Sequence, residues 1–244
     1  MGENVYETED TVAQYLHFHF GEGEGSRAAN FLADGRGFIF PVETVNRLLD
    51  LDASSASMRA LDLGCAVGRS AFELSRKVTS VVGSDLSYAL IAAAKNIASG
   101  EPVSYRLAHD GGAATNHDVR LPGGVRPERI DFRVCDALKE SGRYHFIHAA
   151  NLLCRVPDPA AFLKRLPLML EPGGQLALAT PASWLEQFTP RDNWPAMPVL
   201  DFLKEHLEPH LELTREVDIP FVIREHDRKF QLGISLGTSW RVRH

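Results

Sequence analysis

The chain alternates between apolar runs and segments of helical spacing for most of its length. Thr8–Phe20 has helical spacing, with Thr8 placed to cap it and acids in its first turn. The glycine run G-E-G-E-G-S beginning at Gly21 ends it and reads as a surface connection or a hinge. Pro41–Asp50 predicts a second helix with proline in its first turn, and D-A-S-S-A-S links it onward. An apolar strand from Arg59 then meets a glycine turn, and Gly68–Val78 continues as a helix. A strand ending at Asp85 follows, then a helix capped by Ser87. Between Glu101 and Glu128 the pattern changes: Val103–His109 and His117–Pro122 flank a polar loop and predict an inserted β-hairpin.

Ile130–Cys135 and Tyr144–Ala150 predict two further strands, ending at Asp136 and Asn151. Asp158–Leu170 predicts a helix interrupted by Pro167; E-P-G-G predicts a turn and Gln175–Thr180 a buried strand. A long loop over Pro181–Pro198 and a helix over Val199–Leu207 come next, and Leu211–Val242 predicts a long antiparallel pair at one sheet edge. Strands alternating with helices predict an α/β, Rossmann-like doubly wound sheet, mostly parallel with an antiparallel addition. The expected organisation is a single domain over 1–244, with a helical cap at 1–50, a core at 58–244 and the insertion near 101–128.

Composition changes this picture little. The 244 residues, 44% apolar and 24% charged, are ordinary for a globular protein. A formal net charge of -6 argues against a general nucleic-acid binder. No apolar run is long enough for a bilayer span, and the acidic N-terminus lacks the apolar stretch of a secretory leader. Three widely spaced cysteines suit reduced thiols in a cytoplasm. No C-x-x-C occurs, and His17 and His19 are poorly spaced for one helical face, so no metal site is expected.

Candidate chemistry gathers where the strands end. The stretch R-A-L-D-L-G-C-A-V-G-R-S, Arg59–Ser70, is a strand, a glycine turn and a helix N-terminus, a floor for a nucleotide-like ligand. Asp85 follows the turn by roughly twenty residues, the spacing of a carboxylate that accepts from ribose hydroxyls. The dinucleotide pattern G-x-G-x-x-G fails after Gly64, at Ala66 and Arg69.

Asp62 followed by Gly64-x-x-x-Gly68 instead resembles the first motif of class I S-adenosylmethionine-dependent methyltransferases. That resemblance implies a seven-stranded sheet with an antiparallel last strand. It also implies a cofactor set of Asp62, Gly64, Cys65, Ala66, Gly68, Asp85, Leu86, Asp136, Ala137 and Asn151, with Asp136 near the adenine amine and S-adenosylhomocysteine as product. The blocks Y-E-T-E-D-T-V-A-Q-Y-L-H-F-H-F-G, A-A-N-L-L-C-R, S-W-L-E-Q-F-T-P and P-F-V-I-R-E-H-D-R-K-F-Q further resemble the methyltransferase of ovothiol biosynthesis, which methylates the imidazole π-nitrogen of 5-thiohistidine (4-mercaptohistidine). That activity is also known as the C-terminal domain of the bifunctional sulfoxide synthase OvoA. The chain has no room for the iron-dependent synthase domain, so the resemblance implies a separate upstream synthase.

Such an acceptor carries a carboxylate, an ammonium and a thiolate, and its pocket calls for an arginine, an acid and aromatic walls. The candidate catalytic residues are Asn151, Glu225 and His226. The candidate substrate contacts are Tyr6, Tyr15, His19, Arg155, Trp184, Arg224 and Lys229. Each has a plainer reading: loop cap, core packing or ordinary ion pair. Two other readings stay open, a methyltransferase for another small molecule and a non-catalytic binder of the cofactor.

Overall fold

The computed structural model describes residues 5–21, 39–52 and 57–243. Most of the glycine run expected as a hinge, and most of the D-A-S-S-A-S link, lie outside the described residues.

Helix α1 (Glu9–Phe20) is capped by Thr8, whose hydroxyl accepts from Thr11 N at 3.2 Å. Helix α2 spans Phe40–Leu48. Strand β1 (Arg59–Leu63) passes through the glycine turn into α3 (Arg69–Ser75), followed by β2 (Ser80–Asp85) and α4 (Tyr88–Ser99). Ser87 caps α4 by accepting from Leu90 N, and Gly100 ends it at φ 78°. Strands β3 (Ser104–Ala108) and β4 (Ala114–Asp118) form a separate antiparallel hairpin. Then come β5 (Ile130–Val134), β6 (Tyr144–Ala150), α5 (Pro159–Arg165), β7 (Leu170–Thr180), α6 (Val199–Leu207), β8 (Leu211–His226) and β9 (Lys229–Val242).

The main sheet has seven strands in the order β5-β2-β1-β6-β7-β9-β8. The five strands from β5 to β7 are parallel, and β9 runs antiparallel between β7 and β8. The last strand is therefore inserted inside the sheet, and β8 forms the edge. Alternation along β1 places Leu61 and Leu63 on one face with Phe162, Leu203 and the fully buried Trp240. Ala60 faces the other side, with Val45, Phe72 and Leu90 from α2, α3 and α4.

Several boundaries differ from the sequence reading. The second hairpin strand lies at Ala114–Asp118 rather than His117–Pro122, with Ser104 opposite Asp118. Its residues are nearly all exposed, so apolar alternation cannot mark it. Helix α5 stops at Arg165 and Leu166–Met169 tightens to a 3-10 turn, because Pro167 has no N–H for the helical ladder. E-P-G-G is part of β7, which starts at Leu170 opposite Tyr144 and shifts register before Phe146.

One length mismatch shapes the site. Strand β9 pairs with β7 only from Leu236 to Arg241. The rest of the β8–β9 hairpin, from Ile219 to Ser235, runs past the sheet on its carboxyl edge. There it meets α1, whose Gln14 donates to Arg224 O at 3.4 Å, and β3, whose Ala108 O accepts from Arg224. No helix among the described residues is long and apolar enough to cross a membrane.

Candidate active site

The floor is built by the turn after β1. Gly64, Ala66 and Gly68 all have positive φ, at 68°, 49° and 88°. Gly64 N and Cys65 N donate to Ser84 O at 2.8 and 3.0 Å, stitching the turn to β2. A Cβ on Gly68 would lie 2.6 Å from the Phe132 ring, so both φ and space require glycine there. Ala66 has no such freedom and is held in the left-handed region by Asp85, whose Oδ2 accepts from Ala66 N at 3.0 Å. Asp85 Oδ1 accepts from Ser87 N at 3.0 Å, so one carboxylate joins the glycine turn to the start of α4. Burial pushes the Asp85 carboxyl above the usual range, although amides at Ser87, Ala66 and Leu86 oppose the shift.

Asp62 lies beneath the turn, 1% exposed. Its Oδ1 bonds His148 Nδ1 at 2.7 Å, and its Oδ2 is buried without a hydrogen-bond partner. Its charge adds to the upward shift of both Cys65 and Asp85. Cys135 N donates to Asp85 O at 2.9 Å and so brings the end of β5 alongside. Asp136 folds into a local turn there, accepting from Leu138 N at 2.9 Å and facing Lys139. Leu86 is 63% exposed, and Ala137 packs on the α5–α6 side.

The opposite rim carries the other candidates. Asn151, at the carboxyl end of β6, has φ 55°; its N–H donates to Ala179 O, and its Oδ1 accepts from Ser235 Oγ at 2.8 Å. Arg155 Nη1 donates to Ser183 O at 2.7 Å, and its guanidinium lies 5.2 Å from the Phe188 ring centre. Tyr6 stacks on Phe188 at 5.6 Å and hydrogen-bonds both Arg155 and Tyr15. Tyr15 is partly buried, and desolvation pushes its phenol far up, with Tyr6 and Asp85 adding to the effect. Trp184 packs half-buried on the α5–α6 side.

The N-terminal segment is tied down over this rim. Tyr6 O accepts from Ser87 Oγ at 3.0 Å, and the Glu7 carboxylate accepts from Tyr88 N and Ala89 N, free amides of the α4 N-terminus. His19, near the end of α1, has a buried Nδ1 without a partner. Its ring is pulled down to about 3 by burial and by Arg69, which donates to His19 O.

Arg224, Glu225, His226 and Lys229 lie together at the β8–β9 tip. Arg224 pairs with Asp227, and Asp227 also bonds His109. Glu225 pairs with Lys229 at 2.5 Å and accepts from Gln231, contacts that hold its carboxyl below the usual range. His226 Nδ1 accepts from Arg228 N at 3.3 Å. The structure thus brings Tyr6, Tyr15 and Arg155 together beside Asp85, while Glu225 and Lys229 bind one another at the tip. Sequence reasoning missed Glu7, His148, Phe188 and Ser235. Only His148 carried a signal, an ionisable residue in the apolar strand Y-H-F-I-H-A-A.

A buried acid with one unpartnered oxygen, a second, partly buried acid and the glycine turn between them fit a cationic nucleoside better than a dinucleotide diphosphate. Comparison with known proteins agrees. The family profile described as "Methyltransferase domain" matches residues 33–216. The ubiquinone biosynthesis O-methyltransferase of Marinobacter nauticus is 28% identical over 146 residues, spanning 57% of this chain and 52% of that protein. The enzyme of the same description from Xanthomonas axonopodis pv. citri is 28% identical over 178 residues, spanning 70% and 65%. The chain spans about half the length of the first of these relatives. Among solved structures, magnesium protoporphyrin IX methyltransferase ChlM of Synechocystis, with bound S-adenosylhomocysteine, superposes with a TM-score of 0.60 at 15% identity, covering 94% of this chain and 93% of that one. N-methyltransferase NodS of Bradyrhizobium japonicum, in complex with S-adenosylhomocysteine, gives 0.53 at 15% identity, covering 96% and 99%. The chain belongs to the class I S-adenosylmethionine-dependent methyltransferases.

Proposed function

We propose that this enzyme methylates the imidazole π-nitrogen of 5-thiohistidine, giving ovothiol A. The observation that carries the reading is the convergence of three distant blocks on one rim. Tyr6 and Tyr15 from the N-terminal segment, Arg155 after β6 and the overhanging β8–β9 hairpin meet beside Asp85 and Asn151. These are the blocks whose sequence resembles the ovothiol enzyme, and together they offer aromatic walls, a guanidinium and an amide to a small polar ring.

The cofactor supplies an electrophilic methyl on a sulfonium. Asp85 would accept from the ribose hydroxyls, Asp62 Oδ2 from the ammonium, and Asp136 would hold the adenine amine. Gly64 and Gly68, with Cys65 and Ala66 between them, let the ligand approach the backbone, and Leu86 and Ala137 flank the base. Asn151 orients the acceptor ring: Ser235 donates to its oxygen and leaves the amide NH2 as the donor end. The acceptor nitrogen's lone pair would form the N–C bond in line as the C–S bond broke, so the alignment these residues give would supply much of the rate. The methylated ring then loses a proton to solvent. Arg155 is assigned to the substrate carboxylate in preference to Arg224, because Arg224 is already paired with the Asp227 carboxylate, whereas Arg155 meets backbone carbonyls and the Phe188 ring. Tyr6, Tyr15 and His19 form the walls, and Trp184 packs beyond them toward α5 and α6. Glu225, His226 and Lys229 border the entrance from the hairpin tip.

The reading includes one domain, a cytoplasmic setting consistent with three free thiols, and a separate sulfoxide synthase that supplies the substrate. A second reading, O-methylation of a phenol, is favoured by the relatives described as ubiquinone biosynthesis enzymes. The test is incubation with S-adenosylmethionine and 5-thiohistidine, histidine or a catechol in separate arms, followed by mass spectrometry. The proposal expects a one-methyl gain on 5-thiohistidine; gain on the catechol alone overturns it.

A further inference from the structure

A buried hydrogen-bonded chain runs from α2 to the cofactor floor. His148 sits directly beside Asp62 in the parallel β6–β1 register, so both side chains project from the same face of the sheet. His148 Nδ1 bonds Asp62 Oδ1 at 2.7 Å, and its Nε2 bonds Thr44 Oγ1 at 3.0 Å. Thr44 Oγ1 in turn donates to Pro41 O at 3.0 Å. Asp62, His148 and Thr44 are each no more than 1% exposed.

The bonding pattern assigns the protons. A hydroxyl has one hydrogen, and that of Thr44 goes to Pro41 O. Thr44 oxygen therefore accepts from His148 Nε2–H, and a further proton lies between Nδ1 and Asp62 Oδ1. The order acid, imidazole, hydroxyl resembles a nucleophilic triad, but the hydroxyl is enclosed under α2 with no space for an acyl substrate. The chain instead consumes one oxygen of Asp62 and leaves the other, Oδ2, buried and unpartnered. A buried acceptor left open is costly unless a ligand completes it.

We infer that His148, backed by Thr44, is a positioning residue for the cofactor: it holds the Asp62 carboxylate in the one rotation that leaves Oδ2 as the acceptor for the cofactor's ammonium. Without His148 both oxygens are free to rotate and to recruit water, and the acceptor is no longer preorganised. The inference rests on family membership and not on the identity of the methyl acceptor, so failure of the thiohistidine assignment leaves it standing.

Calorimetric binding of S-adenosylhomocysteine tests it without turnover. His148→Leu should weaken binding at least about tenfold, the scale of one hydrogen bond to a charged group, while the acceptor KM stays near wild type. His148→Asn keeps a donor near the Nδ1 position and should restore affinity to within about threefold of wild type. In a double-mutant cycle, His148→Leu should add nothing once Asp62 is replaced by alanine, because its effect passes through Asp62. Wild-type affinity in a folded His148→Leu protein, or full additivity in the cycle, overturns the inference. If His148→Leu does not fold, Thr44→Val carries the test: it cuts the chain one link away, and a wild-type dissociation constant there overturns the inference equally.

Discussion

Asp85 is where floor and ligand depend on one carboxylate, and Asp85→Asn isolates its charge at constant shape. In the folded protein each oxygen accepts a backbone N–H at 3.0 Å, from Ala66 and from Ser87. An amide has one oxygen, so its NH2 must face one of those donors, and one charge-assisted bond is lost, about 1.5–3 kcal/mol. The loss is offset in stability because burial disfavours the ionised Asp85, and asparagine removes that cost. Net stability should therefore change by no more than about 1–2 kcal/mol. Affinity has no such offset: the ribose loses an anionic acceptor and Ala66 loses the contact that holds its positive φ. Calorimetry with S-adenosylhomocysteine should show a weakening of roughly ten- to a hundredfold. The pH dependence gives a second reading. The folded carboxyl is raised above its ordinary 3.8, so folding takes up a proton in the window just above that value, and this group's stability is fullest below it and lost as pH rises. Ligand binding favours the ionised form, so wild-type affinity should fall as pH drops through the raised pKa, and the asparagine variant should not follow. A folded Asp85→Asn protein that binds within about threefold of wild type at every pH refutes this account of the floor.

Other predictions concern the rim, the sheet and the roof. Asn151→Ala should lower kcat by about tenfold or more with little change in cofactor affinity, read by steady-state kinetics beside calorimetry; equal losses in both argue against its place at the acceptor. Gly83→Ala should cost about 1–3 kcal/mol in urea unfolding, because the new Cβ would lie 2.7 Å from the buried Phe132 ring, and Phe132→Leu in the same chain should recover part of it. His17, which meets Tyr105 and His117 of the inserted hairpin, is pulled down to about 4 by burial, then by Arg224 and His117. The unfolded chain takes a proton near 6.5 and the folded one does not, so stability should fall as pH drops from about 6.5 to 4, by up to about 3 kcal/mol. His17→Gln should flatten that slope in unfolding curves taken across the range.

What could be read in the chain was whatever had a periodic or positional signature. The parallel core showed itself through apolar strands each ending in Asp85, Asp136 or Asn151. The turn showed itself through Gly64 and Gly68, and the α4 cap through Ser87. Strand β4 did not, because its Ala114–Asp118 side chains face solvent and nothing repeats at a period of two. The contacts that build the site also left no trace, because they join residues far apart in sequence. Glu7 reaches the α4 N-terminus across 81 positions, Ser235 reaches Asn151 across 84, and His148 reaches Asp62 across 86. A residue's type suggests what it can bind; only the strand order says what stands opposite. Arg224 and Arg155 looked equivalent as sequence, and only the Asp227 pair on one and the Phe188 ring beside the other separate them.

The overhang of the β8–β9 hairpin also fixes an order of assembly. The turn that floors the cofactor site is built from β1, α3 and β2, whose mutual contacts are close in sequence and form early, and His148 of β6 then seats Asp62 beneath it. The acceptor rim needs residues far apart in the chain, since Gln14 and Ala108 must meet Arg224, Asn151 must meet Ser235, and β9 must enter the sheet beside β7 before the hairpin can project. A growing chain would hold a nucleoside-binding half before it has a place for the methyl acceptor. Cofactor binding and acceptor binding thus draw on contacts of different range, and the β8–β9 hairpin joins them.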